Sequence, residues 1–349
     1  MSEQEKTHKR RVRYSGKYPK SFKEKYKELN PEKYGDTISR VIEKGSTPAG
    51  MHISIMVKEI LEFLQIKPGQ IGLDATLGYG GHAKEMLQCL KGEGHLYGLD
   101  VDPIEIEKTK LRMETLGFGE DILSIKQVNF QDIDYLLDEK EQLNFVLADL
   151  GVSSMQIDDP ERGFTFKKDG PLDLRMDPEK GVSATQRLQR IKQVELEGML
   201  VENSDEPHAT VISRAIVDEI RRGTFINTTS KLQKIIEDTL QFLPEETRVR
   251  GIRKSCQRTF QALRIDVNKE YEALYDFLEK LPNELAPGGR VAILSFHSGE
   301  DRLVKKSFRR YLREGVYSEI ASEIIRPTAE ECRMNGRAKS TKMRWAIKA

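Results

Sequence analysis

Asp74-Ala-Thr-Leu-Gly-Tyr-Gly-Gly-His82 decides the fold. It follows the short apolar run Ile71-Gly-Leu-Asp74, which reads as a buried strand, and leads into a helical pattern that continues to Leu90. A strand that runs into Gly78, Gly80 and Gly81 before a helix brings backbone close to a ligand, because glycine permits the turn and leaves room beside it. Outward from this loop, further strands read at His95–Asp102, Leu123–Phe130 and Asn144–Gly151, and Pro103 is placed for the first turn of the helix after the second of them. This alternation of strands and helices implies an α/β fold with a mostly parallel sheet covered by helices.

The glycines alone do not choose the ligand. Gly78-Tyr-Gly-Gly-His-Ala83 also satisfies the dinucleotide fingerprint, which leaves a nicotinamide-dependent oxidoreductase open. Asp74, four positions before the first glycine, is characteristic of loops that face the sulfonium amino acid of S-adenosylmethionine rather than a pyrophosphate. Asp100, at the end of the second strand, is placed to accept hydrogen bonds from ribose hydroxyls in either case. Asp149 ends the fourth strand, beside the crevice where ligands collect in open α/β sheets. Methyltransferases that act on exocyclic amines carry an acidic or polar motif there, since such an amine shares its lone pair with the ring and needs orienting. Asp149 serves the amine, the cofactor or both.

The alternation then stops for about a hundred residues. Helical patterns near Gln193–Val201, Ala209–Arg222 and Lys231–Phe242 suggest an inserted helical domain. The expected division is a basic extension at 1–45, a methyltransferase domain at 46–157 and 258–349, and the insertion at 158–257 for substrate recognition. Strand signals return at Gly288–Phe296, after a helix at Tyr271–Leu281 and the Ala286-Pro-Gly-Gly turn, and again at Lys342–Ala349. The loop Glu161–Asp177 combines Arg162, Phe164, Phe166, Lys167, Lys168 and Arg175, a composition suited either to gripping RNA and stacking a base or to docking the insertion. His297 and Ser298, after the fifth strand, are expected on the substrate side.

The net charge of +1 conceals basic ends. The first 34 residues interleave their Lys and Arg with Tyr14, Tyr18, Phe22, Tyr26 and Tyr34, a mixture that suits RNA binding by charge and stacking, or docking on the protein itself. Cys89, Cys256 and Cys332 show no C-x-x-C spacing, so neither a disulfide framework nor a metal site is expected. No apolar run approaches the roughly 20 residues needed to cross a bilayer, and a cytoplasmic protein is expected.

Six motifs, in order, carry a resemblance to a known family: DATLGYGGH, LDVDP, ADLGVSS, QIDDPERGFTFKKDGPLDLRMDP, QALRIDVNKE and LAPGGRVAILSFHSGEDRLVK. From about His52 onward the chain resembles the bacterial 16S rRNA (cytosine-N4)-methyltransferases, the RsmH or MraW family. The resemblance implies a class I, Rossmann-like methyltransferase domain with an inserted helical domain. It implies S-adenosylmethionine contacts at Gly80, Gly81, His82, Asp100, Phe130, Asp149 and Gln156, with Asp149 also catalytic. It further implies methylation of a cytosine amine in the decoding region of 16S rRNA, with the small ribosomal subunit as partner, and a homodimer. The extension before His52 and Met155, where proline is frequent, depart from the common family pattern. Methylation of another RNA, or an rRNA-binding assembly factor without turnover, are the alternatives.

Overall fold

The computed structural model describes residues 54–136 and 141–349; the basic extension lies outside them. Its centre is a seven-stranded sheet in the order β3-β2-β1-β4-β5-β7-β6. These strands are β1 (Ile71–Asp74), β2 (His95–Asp100), β3 (Leu123–Gln127), β4 (Leu143–Asp149), β5 (Leu285–Ser295), β6 (Tyr317–Ile320) and β7 (Lys342–Lys348). The first five pair in parallel, and β7 runs antiparallel to both β5 and β6.

Strand periodicity divides the sheet's apolar residues between two cores. Val146 and Ala148 of β4 and Val291 and Ile293 of β5 face one side, where Phe277, Leu281 and Phe308 cover them. Phe145, Leu147, Ala292 and Leu294 face the other, against Met86, Leu96 and Met343. Burial on both faces explains why β4 and β5 read as continuous apolar runs rather than alternating ones.

The helices α1 (Val57–Leu64), α2 (Gly81–Leu90) and α3 (Pro103–Thr115) precede or connect the first strands. The side chain of Asp102, read in the sequence as the end of the second strand, accepts from the N–H groups of Ile104 and Glu105 and so caps α3, with Pro103 at its first turn as expected. After β4 comes the short α4 (Ser154–Asp158), closed by a capping box between Ser153 and Gln156.

Five helices then share a separate core: α5 (Ala184–Arg190), α6 (Gln193–Ser204), α7 (Ala209–Arg221), α8 (Thr229–Thr239) and α9 (Glu245–Asn268). The last is continuous for 24 residues, so the expected division at 257/258 cuts through it. Gly251 in its interior costs about 1 kcal/mol relative to alanine. Buried Phe260 and Leu263 contribute roughly 1.5–3 kcal/mol each, so packing outweighs the local penalty and the helix continues.

Helix α10 (Glu270–Glu284) returns the chain to the sheet. The Ala286-Pro-Gly-Gly turn lies within β5 as an irregularity, since Leu143 pairs with Leu285 while Phe145 pairs with Arg290. Beyond β5 are α11 (Ser298–Arg313) and α12 (Ala329–Met334); neither α11 nor β6 is read in the sequence above. No described helix is long and apolar enough to cross a membrane.

Candidate active site

A cavity of about 680 Å³ opens at the carboxyl ends of the central strands and extends to the helical unit. The glycine loop forms part of its floor and is anchored from behind. The Gly78 N–H donates to Asp100 Oδ2 at 2.7 Å, Thr109 Oγ1 donates to the Gly78 carbonyl at 2.5 Å, and Arg112 donates to the Tyr79 carbonyl at 2.5 Å. The φ of Gly78 is 47° and that of Gly80 is 78°, both in the left-handed region.

Gly80 and Gly81 have different reasons to be glycine from those suggested by the sequence. A Cβ on Gly80 would strike Met113 and Thr109 of α3, and one on Gly81 would strike Ser54. Both are needed for the loop to pack on its own protein. Gly80 also spends its N–H on the Leu77 carbonyl at 2.7 Å and does not line the cavity, whereas Gly81 does.

Around this floor the structure brings together His82, Asp100, Phe130, Asp149 and Gln156, alongside Asp74, Thr76 and Glu105. Asp100 uses one oxygen on Gly78 and the other on the Asp102 N–H at 2.9 Å. Burial pushes its carboxyl up to about 6. The Asp149 N–H donates to Thr76 Oγ1 at 2.6 Å, and its Oδ1 is shielded from solvent without a hydrogen-bond partner among the described residues. Burial, and then the charge of Glu300, push the Asp149 carboxyl up to about 7. Asp74, 1 % exposed, is also pushed up to about 7, chiefly by burial.

His82 links this group to the start of α1. Its Nε2 lies 2.9 Å from the Ile55 carbonyl, which can only accept, so Nε2 carries the proton. Nδ1 therefore faces Asp149 Oδ2, 3.7 Å away and beyond hydrogen-bond distance. Phe130 begins a short 3-10 helix and meets the Phe277 ring edge to face at 5.2 Å while lining the cavity.

Gln156 is largely committed. Its Oε1 accepts from the Ser153 N–H at 2.8 Å and its Nε2 donates to Asp102 at 2.7 Å. Arg162 joins the same carboxylate at 2.8 Å and donates to the carbonyls of Arg175 and Met176. Arg162 is 7 % exposed and Asp102 fully buried, so Arg162 is a structural clasp and is unavailable to RNA. Phe164 and Phe166 pack on the helical core, Phe166 with its ring 5.3 Å from that of Phe260, and Arg175 pairs with Asp173. For this loop the docking alternative describes Arg162 and Arg175, whereas the partly buried Phe164 and Phe166 also line the cavity and Lys167 and Lys168 remain exposed.

The far wall holds residues whose roles sequence reasoning did not assign: Gln257, Gln261, Arg264, Asn268 and Glu270. Arg264 forks onto Glu270 at 2.7 and 2.9 Å. Next to it, His297 Nε2 lies 3.1 Å from Glu300 Oε1, and Glu300 Oε2 accepts the Phe296 N–H at 2.8 Å. Burial works against the charged form of Glu300, yet His297, Arg264 and the Phe296 N–H together hold its carboxyl below the usual range. His297 lines the cavity as expected; Ser298 instead donates to Asp205 at 3.0 Å. The only signal for the Arg264–Glu270 pair was the motif QALRIDVNKE itself, without a role attached.

The donor set tests the expected cofactor. Three desolvated carboxylates, one with an unpartnered oxygen, form a floor that favours a cation over a pyrophosphate. S-adenosylmethionine carries a sulfonium and an ammonium, and its ribose suits Asp100. Together with a parallel sheet ended by an antiparallel β7 lying between β5 and β6, these features define a class I S-adenosylmethionine-dependent methyltransferase. The sequence model of the MraW methylase family matches residues 49–349, and the chain belongs to that family.

Among its relatives, "Ribosomal RNA small subunit methyltransferase H 1" of Lachnoclostridium phytofermentans is 68 % identical over 346 residues, covering 99 % of this chain and 94 % of that one. "Ribosomal RNA small subunit methyltransferase H 2" of Alkaliphilus metalliredigens is 66 % identical, with both chains covered in full. The Agathobacter rectalis protein with the first of these names is 65 % identical, again over the whole of both chains. The matches to the last two relatives include the residues before His52. Membership of a methylase family also removes the oxidoreductase reading.

Proposed function

We propose that this enzyme transfers a methyl group from S-adenosylmethionine to the exocyclic N4 amine of a cytosine in the decoding region of 16S rRNA, in the cytoplasm. The observation that carries the reading is the shielded, unpartnered Oδ1 of Asp149, at a strand end between the glycine loop and the helical unit. When bound, S-adenosylmethionine supplies an electrophilic methyl on a sulfonium. Asp100 then accepts from the ribose, Phe130 packs against the base, and the Gly81–His82 turn and the edge of Gln156 complete the binding surface. Gly80 contributes by shaping that turn.

Asp149 accepts a hydrogen bond from the cytosine amine and fixes the direction in which its lone pair points. A carboxyl held at about 7 also takes up the proton that the methylated amine sheds. Thr76 holds the Asp149 backbone in place, so orientation contributes more than basicity. The helical unit, from about residue 158 to the end of α9, presents the RNA. Replacing Asp149→Ala is expected to lower turnover on small ribosomal subunits at least about 100-fold at saturating cofactor. Labelled methyl transfer followed by nucleoside analysis measures both turnover and product. Full turnover of the variant, or a product other than N4-methylcytidine, would refute the assignment.

A further inference from the structure

Along α9, Arg250, Lys254, Gln257, Gln261, Arg264 and Asn268 recur every three or four residues and so share one side of the helix. The opposite side, with Cys256, Thr259 and Leu263, is buried. The stripe spans about 27 Å, and its two ends differ. Gln257, Gln261, Arg264 and Asn268 line the cavity; Arg250 and Lys254, with Arg253 beside them, lie exposed beyond it.

Partnering changes along the stripe as well. Asn268 is fixed to the Leu174 carbonyl and the Met176 N–H, Arg264 to Glu270, and Gln261 to the Asn203 carbonyl. The side chains of Arg250, Arg253, Lys254 and Gln257 form no hydrogen bond or ion pair among the described residues. Other long cationic side chains of the helical unit are paired, Arg187 with Asp266, Arg222 with Glu219 and Lys234 with Asp238; Arg190, Lys192, Arg214 and Arg258 are not paired among the described residues, but they lie off this stripe.

We propose that this face of α9 is the track along which a single strand of RNA enters the active site. The inference rests on the RNA-substrate reading above and deepens it. Arg250, Arg253 and Lys254 meet consecutive phosphates, and their neutralisation of a polyanion releases condensed counterions. Gln257, at the transition into the cavity, offers a donor and an acceptor to the edge of a base flanking the target. Lys167, exposed on the wall of the same cavity, adds a further cation at the entrance. The fixed inner residues keep the track rigid where the base must be placed.

The test compares two charge-matched triple variants of the full-length enzyme, with small ribosomal subunits as substrate and labelled methyl transfer as readout. Arg250→Glu, Arg253→Glu and Lys254→Glu together are expected to raise the KM for RNA about tenfold or more. They should also reduce the slope of log KM against log salt by about 2, at roughly 0.7 per lost single-strand phosphate contact. Turnover at saturating RNA and calorimetric affinity for S-adenosylhomocysteine should stay at the wild-type values. Lys306→Glu, Arg309→Glu and Arg313→Glu on α11, away from the cavity lining, should leave the salt slope unchanged.

An unaltered KM and slope in the α9 variant, or an equal loss in the α11 variant, would overturn the proposal. If wild-type enzyme methylates no RNA, the substrate reading fails and takes this one with it. Should the α9 triple lose S-adenosylhomocysteine binding through misfolding, Lys254→Gln alone carries the readout. Its slope should fall by about 0.7, and an unchanged slope counts against the track.

Discussion

At the floor of the cavity Asp74 is buried, Asp100 and Asp149 are partly so, and all three carboxyls are pushed up to between about 6 and 7; at the outer end of α9, Arg250, Arg253 and Lys254 stand in solvent. The same cleft is therefore acidic where it is dry and basic where it is wet. The difference lies in what each charge responds to. A desolvated carboxylate is stabilised by a cation placed against it and is little affected by salt. An exposed cation acts over a distance and is screened at physiological ionic strength within about 8 Å. Small cationic cofactor and long anionic substrate are thereby sorted to opposite ends before either makes a specific contact. Arg162 sharpens the contrast, because it is a cation that belongs to the dry end.

The comparison can be broken most severely at that residue. Arg162→Ala strands Asp102, which is fully buried, without its charge partner, and removal of one member of such a pair typically costs about 3–5 kcal/mol. Urea unfolding should record that loss, with weakened S-adenosylhomocysteine binding and no change in the salt slope for RNA; a reduced slope would place Arg162 at the wet end after all.

A smaller effect separates the ends by pH. Asp74 titrates at about 7 in the folded chain and near 3.8 when unfolded, so the folded state holds the extra proton between those values. Its contribution is favourable at low pH and is lost as pH rises through about 7. Relative to Asp74→Asn, wild-type thermal stability should decline from about pH 5 to pH 8, while affinity for S-adenosylmethionine rises over the same interval as the carboxylates ionise. Parallel melting curves and calorimetry would check both, and an affinity that falls with pH would contradict a cation-binding floor. The smallest effect is expected at Arg222→Ala, which removes an exposed pair with Glu219. Neither melting temperature nor the KM for RNA should move measurably, in contrast with the unpaired cations of α9.

Much of the central sheet was legible because each parallel strand, buried on both faces, leaves a continuous apolar run beside a glycine, proline or acidic punctuation mark. Pro103 announces α3 in just this way. The short edge strand β6 left no such trace: of its four residues only Tyr317 is buried. Helix α9 was not read in the sequence at all, because its stripe of polar residues and Gly251 obscure the amphipathic pattern, and its continuity is decided by packing of Phe260 and Leu263. In the site, carboxylates at strand ends could be located from topology alone. Whether Arg162 faced RNA or Asp102 depended on a contact across 60 positions of sequence, and local pattern does not encode such a contact. Gly80 shows the converse, since its place in a ligand-binding motif conceals a packing role against Met113.

The position of β7 has a consequence for biosynthesis. It is made after β6 yet lies between β6 and β5, pairing with both. While a ribosome is still extending the chain, the edge of β5 has no neighbour and β6 has nothing to join. Such long-range pairing is slow to form and leaves open strand edges prone to self-association. The sheet can close only once Lys342–Lys348 has emerged, so a nascent chain halted before that strand would present an unfinished edge to the cell's chaperones.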